Sequence, residues 1–141
     1  MTAFWKTWIT LWCWGIIAFG AVLAAGGLPA TDGIVRTLYG ILSSGPLPAD
    51  FLEAPGHRFS VALMRAVSIG WGFTILFLLP AIHAAGASAW RGLTAAVVIW
   101  FVIDGALSAA TGFPLNNVPN AALMIAYLVP LFASGVLKPQ V

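Results

Sequence analysis

The residues of this chain that could do chemistry are two opposite charges placed inside long apolar segments. Arg65 and Asp104 each stand well within such a segment, although only 7% of the 141 residues are charged. A charged side chain at the centre of a bilayer costs roughly 2.5–3.5 kcal/mol on insertion scales, so such residues pair with one another or face a wet cavity. Arg65 and Asp104 are therefore the first candidates for a functional site.

The two charges are expected to meet at one level of the membrane. Arg65 belongs to a predicted span at about 58–84 and Asp104 to one at about 90–112, and the tight connection at 86–89 makes these spans antiparallel neighbours. Arg65 lies seven residues, or about 10 Å, from the outer end of its helix. Asp104 lies eight residues, or about 12 Å, from the same side. We therefore predict an intramembrane salt bridge between helices two and three.

Other polar residues fall in the same half of the predicted bundle. The full candidate set for a buried polar cluster or ligand site is Arg65, Asp104, Ser68, Ser108, Asn117 and Asn120. Two interpretations are open. In the first, the pair of charges is a structural clasp that fixes the register of helices two and three. In the second, it lines a small outward-open cavity that binds a polar ligand or relays a proton.

Other kinds of site fail on position. His57 and His83 are 26 residues apart on one predicted helix, or about 39 Å, too far to share a metal ion or haem within one subunit. Cys13 is the only cysteine, so no internal disulfide can form, and no basic partner is assured to it. The sequence contains no phosphate-binding loop, nucleotide fingerprint or carboxylate cluster. We therefore expect no catalytic residue, no metal and no cofactor.

The elements that must position these residues follow from composition. Apolar residues make up 61% of the chain and the mean hydropathy is +0.99, whereas soluble domains contain about 45–50% apolar residues. We predict an all-α integral membrane protein of one domain, residues 1–141. Its four-helix transmembrane bundle has spans at about 7–28, 58–84, 90–112 and 117–137. The six basic residues are scattered, which argues against a nucleic-acid partner.

The connection between the first two spans contains a second helical pattern. Apolar residues recur at helical spacing between about residues 31 and 44: Ile34, Val35, Leu38, Ile41 and Leu42. The segment is too short to cross a bilayer. We predict an amphipathic helix that lies flat on the membrane surface with its apolar face down.

Aromatic residues mark one face of the first span. Trp5, Trp8 and Trp12 share this face, and indole rings favour the membrane–water interface. We expect them to be interfacial anchors that face lipid. The alternative is a surface for a flat ligand such as a pigment, quinone or sterol.

Two functions are compatible with these features. The first is a non-catalytic accessory or assembly component of a membrane complex, favoured by runs of small residues that let helices approach closely. The alternative is a small oligomeric transporter or ligand-binding membrane protein with an outward-facing polar site at Arg65 and Asp104. The expected partners are the lipid bilayer, a membrane protein or a second copy of the chain.

The orientation follows from the basic residues near the span ends. Lys6, Arg91 and Lys138 would all lie on one side, which then holds no acidic residue. By the positive-inside rule we expect both termini in the cytoplasm. The size is typical of small four-span bacterial proteins, so a bacterial inner membrane is the expected location.

Overall fold

The computed structural model describes residues 1–138, apart from the side chain of Pro55, and these residues form helices and the turns between them. The helices are α1 (Ala3–Ala24), α2 (Gly33–Leu42), α3 (Pro55–Ala85), α4 (Ala87–Ala110) and α5 (Asn117–Ser134). Single 3-10 turns occupy Ala25–Gly27 and Pro114–Asn116. By length and composition, four segments could cross a membrane: α1, α3, α4 and α5 with its preceding turn.

The helix ends differ from the predicted bounds for local reasons. The connection between α3 and α4 is shortened to Gly86, whose positive φ of 72° reverses the chain with little steric cost. α5 ends three residues before the predicted 137, because Gly135 adopts the left-handed conformation that terminates helices. The predicted domain extends to residue 141, and its last three residues lie outside the described part.

The main helix pair of the fold is α1 with α3, which contact each other more extensively than α3 contacts α4. Glycine makes this approach possible. A Cβ atom on Gly72 would lie 2.7 Å from Cγ1 of Ile17, and one on Gly20 would lie 2.8 Å from Cγ1 of Ile69. Each glycine thus makes room for an isoleucine of the facing helix, an arrangement common between membrane helices.

Trp12 lies in the core of this arrangement and does not face lipid. Only 6% of its surface is exposed, and its ring centroid lies 6.0 Å from that of Trp71 and 5.0 Å from that of Tyr127. Its indole Nε1 donates a hydrogen bond of 3.0 Å to the carbonyl of Leu123. The expectation of a lipid-facing anchor is therefore wrong for Trp12, which joins α1 to α3 and α5.

Trp8 also bonds to α5, at a position where that helix lacks a hydrogen bond. Pro130 has no backbone N–H, so it leaves the carbonyl of Ala126, four residues earlier, without its helical donor. The Trp8 indole Nε1 donates to this carbonyl at 2.8 Å. An unsatisfied carbonyl in an apolar environment is costly, so Trp8 compensates for the proline.

We expect the change Trp8→Phe to destabilise the protein by about 1 kcal/mol, because it leaves the Ala126 carbonyl unbonded. Thermal unfolding in detergent would measure the loss. The control is Trp14→Phe, which changes an indole that makes no hydrogen bond within residues 1–138. In a Pro130→Ala background, where residue 130 can donate to Ala126, Trp8→Phe should cost much less. An equal cost in both backgrounds would contradict the role assigned to Trp8.

The helix α2 packs against the end of the bundle, and its predicted apolar face is divided. Val35 is fully buried beside Gly26, where its methyl carbons would lie 2.8 and 3.0 Å from an added Cβ. Ile34 and Ile41 point away, with 64% and 62% of their surfaces exposed. Leu52 of the following connection is also fully buried in the cluster formed with Val35. The helix α2 thus packs on the long helices through Val35, while Ile34 and Ile41 form an exposed apolar surface on its other side.

Candidate functional site

A cavity of about 310 Å³ opens where α2 covers the ends of the long helices. It is lined by Phe19, Leu23, Leu38, Tyr39, Leu42, Met64, Arg65, Asp104, Leu107, Ser108, Thr111, Phe113 and Asn116. A second cavity of about 230 Å³ adjoins it, deeper between α1, α3, α4 and α5. Five residues line both cavities: Phe19, Met64, Arg65, Asp104 and Asn116. The two predicted charges therefore line both cavities.

Arg65 forms no salt bridge with Asp104 within residues 1–138. Its Nη2 donates instead to the hydroxyl of Tyr39 at 3.1 Å. Its Nε is buried and has no partner in the described part of the chain. The predicted intramembrane salt bridge is therefore wrong as a direct contact, although both side chains line the same cavities.

Asp104 is bound by amides because α5 brings two asparagines against α4. Its Oδ2 accepts hydrogen bonds from Nδ2 of Asn116, at 3.1 Å, and from Nδ2 of Asn120. These asparagines are four residues apart and so lie on one side of the turn and helix that begin α5. Within residues 1–138, Oδ1 accepts no hydrogen bond. One carboxylate oxygen is thus satisfied by the protein, and the other remains available.

The other predicted site residues differ in their positions. Ser68 lines the second cavity, but its Oγ donates to the carbonyl of Met64 in its own helix at 3.0 Å. Ser108 lines the first cavity, and its Oγ accepts from Nδ2 of Asn116 at 2.9 Å. Asn120 lines the second cavity.

Asn117 lines neither cavity. Its Nδ2 donates to the carbonyl of Gly105 at 3.3 Å, and a Cβ on Gly105 would lie 2.6 Å from its Oδ1. Asn117 therefore joins α5 to α4 outside the cavity.

Two residues that hydrogen-bond to the charges of the site, Tyr39 and Asn116, are absent from the candidate set. Tyr39 holds the Arg65 guanidinium, and Asn116 bonds to both Asp104 and Ser108. Tyr39 could have been found from the sequence. It lies one helical turn after Val35, so both side chains are on the apolar side of α2, which packs against the rest of the protein. Asn116 stands beside Asn117 in the sequence, and only the 3-10 turn at Pro114–Asn116 determines which of the two meets Asp104.

Comparisons with protein families, with curated proteins and with solved structures all gave no match.

The helix α2, which carries Tyr39, is fixed by a network of four charges. Asp32 is 6% exposed and pairs with Nε of Arg36 and with Nη1 of Arg58, each at 3.0 Å. Glu53 pairs with the same two arginines. The hydrogen bond from Arg36 is the main cause that lowers the pKa of Asp32 and of Glu53 below the ordinary value. The network thus ties the start of α2 to the connection and to α3.

We expect this network to stabilise α2 at neutral pH and to weaken on acidification. A carboxylate with a lowered folded-state pKa contributes stability above its unfolded pKa, and loses it as the pH falls through the folded value. The loss should therefore begin below about pH 4, the ordinary range for carboxyl groups. Protection factors of the amides in residues 33–42, which correct hydrogen-exchange rates for their intrinsic pH dependence, would measure it. In Arg36→Gln, these protection factors should be lower at neutral pH and should change less with pH. An unchanged pH profile of the protection factors would contradict the assignment.

The site can bind but shows little that would react. Arg65 and Asp104, whose Nη1 and Oδ1 have no partner within residues 1–138, line a space whose walls are mostly leucine, phenylalanine and methionine. The described residues contain no group of three or more His, Cys, Asp or Glu side chains that could hold a metal ion. The arrangement is typical of a small-molecule pocket, with apolar walls and a few placed polar groups.

Proposed function

We propose that this protein is an integral membrane protein that binds a small amphiphilic molecule in the cavity at Arg65 and Asp104, as a binding protein or transporter. One observation carries the proposal. Two side chains of opposite charge line the same cavities without pairing with each other. Each is held by uncharged groups instead, Arg65 by Tyr39 and Asp104 by two asparagines, so each charge stays available to an opposite charge of a ligand.

The dimensions and walls of the cavity support a small amphiphile. Ligand sites are commonly about 300–1,000 Å³ and mostly apolar, and the larger cavity alone has a volume of about 310 Å³. Phe19 and Met64 supply apolar surface to both cavities. A molecule with a polar head and a short apolar chain would satisfy both kinds of wall.

Membrane insertion is supported by the outer surfaces of the long helices. Val67, Phe77 and Phe132 are 64%, 72% and 67% exposed, and exposed apolar surface costs about 25 cal/mol per Å² in water. Lipid removes that cost. The bacterial inner membrane stays a prediction from the sequence, since helices of this composition suit other membranes as well.

The proposed orientation places both termini in the cytoplasm. Met1, Lys6 and Val136 line one small cleft, and Arg91 donates to the carbonyl of Leu137 at 3.0 Å. Hence Lys6, Arg91 and the C-terminal turn share one end of the molecule. At the other end the arginines of the α2 network are matched by Asp32 and Glu53. The positive-inside rule then puts the cavity in the outer half of the membrane.

The binding proposal is tested with a brominated amphiphile that quenches tryptophan fluorescence. Trp71 and Trp100 line the second cavity. With ω-bromodecanoic acid and its α-amino derivative as probes, in phosphatidylcholine nanodiscs, we expect saturable quenching by at least one of them. Gly15→Leu should abolish it, because Gly15 lines the second cavity and has room for a Cβ, so a leucine there would fill part of the cavity.

The matched control is Gly92→Leu, on α4, where an added Cβ also meets no atom within 4 Å and where no cavity wall is affected. This variant should bind as the unchanged protein does. Quenching that rises linearly and equally in all three proteins would show only partition into lipid, and the binding proposal would be abandoned.

A non-catalytic accessory subunit is our second candidate, favoured by the surface of α4. Three of its outward side chains are more than half exposed: Ile99, Val102 and Ile103. A partner helix or a second copy could cover this face. Native mass spectrometry of gently extracted protein tests the idea, and consistent release of a bare monomer would count against it.

A further inference from the structure

We infer that the head group of the bound amphiphile is zwitterionic, with an anionic group bound by Arg65 and a cationic, hydrogen-bond-donating group bound by Asp104. The inference rests on the proposed function and names the class of its ligand. The observation behind it is that neither charge of the cavity is saturated within residues 1–138: the Arg65 guanidinium makes one hydrogen bond, from Nη2, and Oδ1 of Asp104 accepts none.

The Arg65 side selects an anion. A guanidinium presents five donors in a planar fork, which matches carboxylate and phosphate groups. The only partner of this guanidinium within residues 1–138 is the Tyr39 hydroxyl on Nη2. That contact orients the guanidinium from the α2 side and leaves the N–H groups of Nη1 for a ligand. An oxyanion bound there would form charge-assisted hydrogen bonds, which are stronger than neutral ones.

The negative charge of Asp104 disfavours a ligand that is purely anionic. Asn116 and Asn120 donate to Oδ2 and stabilise the carboxylate, but neither carries a charge that could neutralise it. A purely anionic ligand beside Arg65 would therefore share the cavity with an unneutralised carboxylate, and like charges at close range repel. A purely cationic ligand would meet the same difficulty with Arg65. Only a head group that carries both signs leaves neither side chain uncompensated.

The test compares three probes that differ only in the head group: ω-bromodecanoic acid, ω-bromodecylamine and the α-amino derivative of the acid. Tryptophan quenching is measured in phosphatidylcholine nanodiscs, and affinities refer to probe concentration in the lipid. The α-amino acid should bind at least about tenfold more tightly than either other probe, since it alone forms charge-assisted hydrogen bonds with both Arg65 and Asp104. Asp104→Asn should bring the α-amino acid down to the affinity of the acid.

The outcomes separate this inference from the proposed function. Equal saturable binding of the acid and the α-amino acid to the unchanged protein would contradict the zwitterionic head group but would still support the proposed binding site. Absence of saturable binding for all three probes would overturn both. The comparison on the unchanged protein needs no variant, so a folding defect in Asp104→Asn does not affect it.

The zwitterion could be a free amphiphile or the head group of a lipid. The same titration in nanodiscs that contain phosphatidylethanolamine distinguishes them, because this lipid carries a phosphate and an ammonium group with N–H donors. Competition by phosphatidylethanolamine supports the inference with a lipid as the source. Undiminished binding of the α-amino acid supports it with a free molecule.

Discussion

Replacing Gly72 with leucine is expected to force α1 and α3 apart and to prevent stable folding. A Cβ at this position would lie 2.7 Å from Cγ1 of Ile17, 3.3 Å from Cγ2 of Ile16 and 3.4 Å from the carbonyl oxygen of Cys13. The backbone oxygen cannot move without the whole helix. Overpacking of a well-filled interior costs about 1–3 kcal/mol and occasionally more. Here the strain would fall on the packing of α1 against α3, which is the most extensive helix contact of the fold.

Gly70→Leu is the matched control for this change. Gly70 lies two residues away on the same helix, and an added Cβ there meets no atom within 4 Å. Leucine is also the better helix former, so this variant should be as stable as the unchanged protein or slightly more so. The measurement is the yield of monodisperse protein in detergent and its unfolding temperature. If both variants behaved alike, the close approach at Gly72 would not be a determinant of the fold.

Replacing Arg65 with glutamine is expected to weaken binding of the amphiphilic probe by about 10- to 100-fold. Charge-assisted hydrogen bonds contribute about 1.5–3 kcal/mol each, and a glutamine amide offers neither the charge nor the fork. Tyr39→Phe should have a smaller effect, because it removes the hydroxyl that holds Nη2 at 3.1 Å but keeps the guanidinium.

Arg91→Gln is the control for Arg65→Gln. Arg91 is exposed and bonds to the carbonyl of Leu137, away from both cavities. Its replacement changes the net charge by the same amount and should leave probe affinity unchanged. Equal losses in the two variants would mean that overall charge, and not the cavity, attracts the probe. Circular dichroism shows whether the Arg65 variant keeps its helices.

Much of the architecture could be predicted because composition alone requires it. A chain with 61% apolar residues and four long apolar segments has few alternatives to four long helices. The expectation that Arg65 and Asp104 face a common space also follows from depth, which depends only on the helical rise. Both features result from averages over many residues, so small errors in the helix ends do not change them.

The partners of those two charges could not be predicted, because they depend on the rotation of each helix about its axis. Asp104 had several amides within reach in the sequence, and the turn at Pro114–Asn116 decided in favour of Asn116 over Asn117. Tyr39 reaches Arg65 only because α2 docks on the bundle through Val35. The sequence pattern predicted the α2 helix but could not distinguish a bilayer surface from a protein surface beneath it.

The hydrogen bond between Trp8 and the carbonyl of Ala126 has a consequence for how this sequence can change over time. The two positions involved, 8 and 130, are far apart in the chain, yet the defect at one is repaired by the other. If Pro130 were replaced first, residue 130 could donate to the Ala126 carbonyl and the Trp8 indole would no longer be needed there. If Trp8 were replaced first, that carbonyl would be left without a donor. Substitutions at these sites should therefore accumulate in a preferred order, with position 130 changing before position 8.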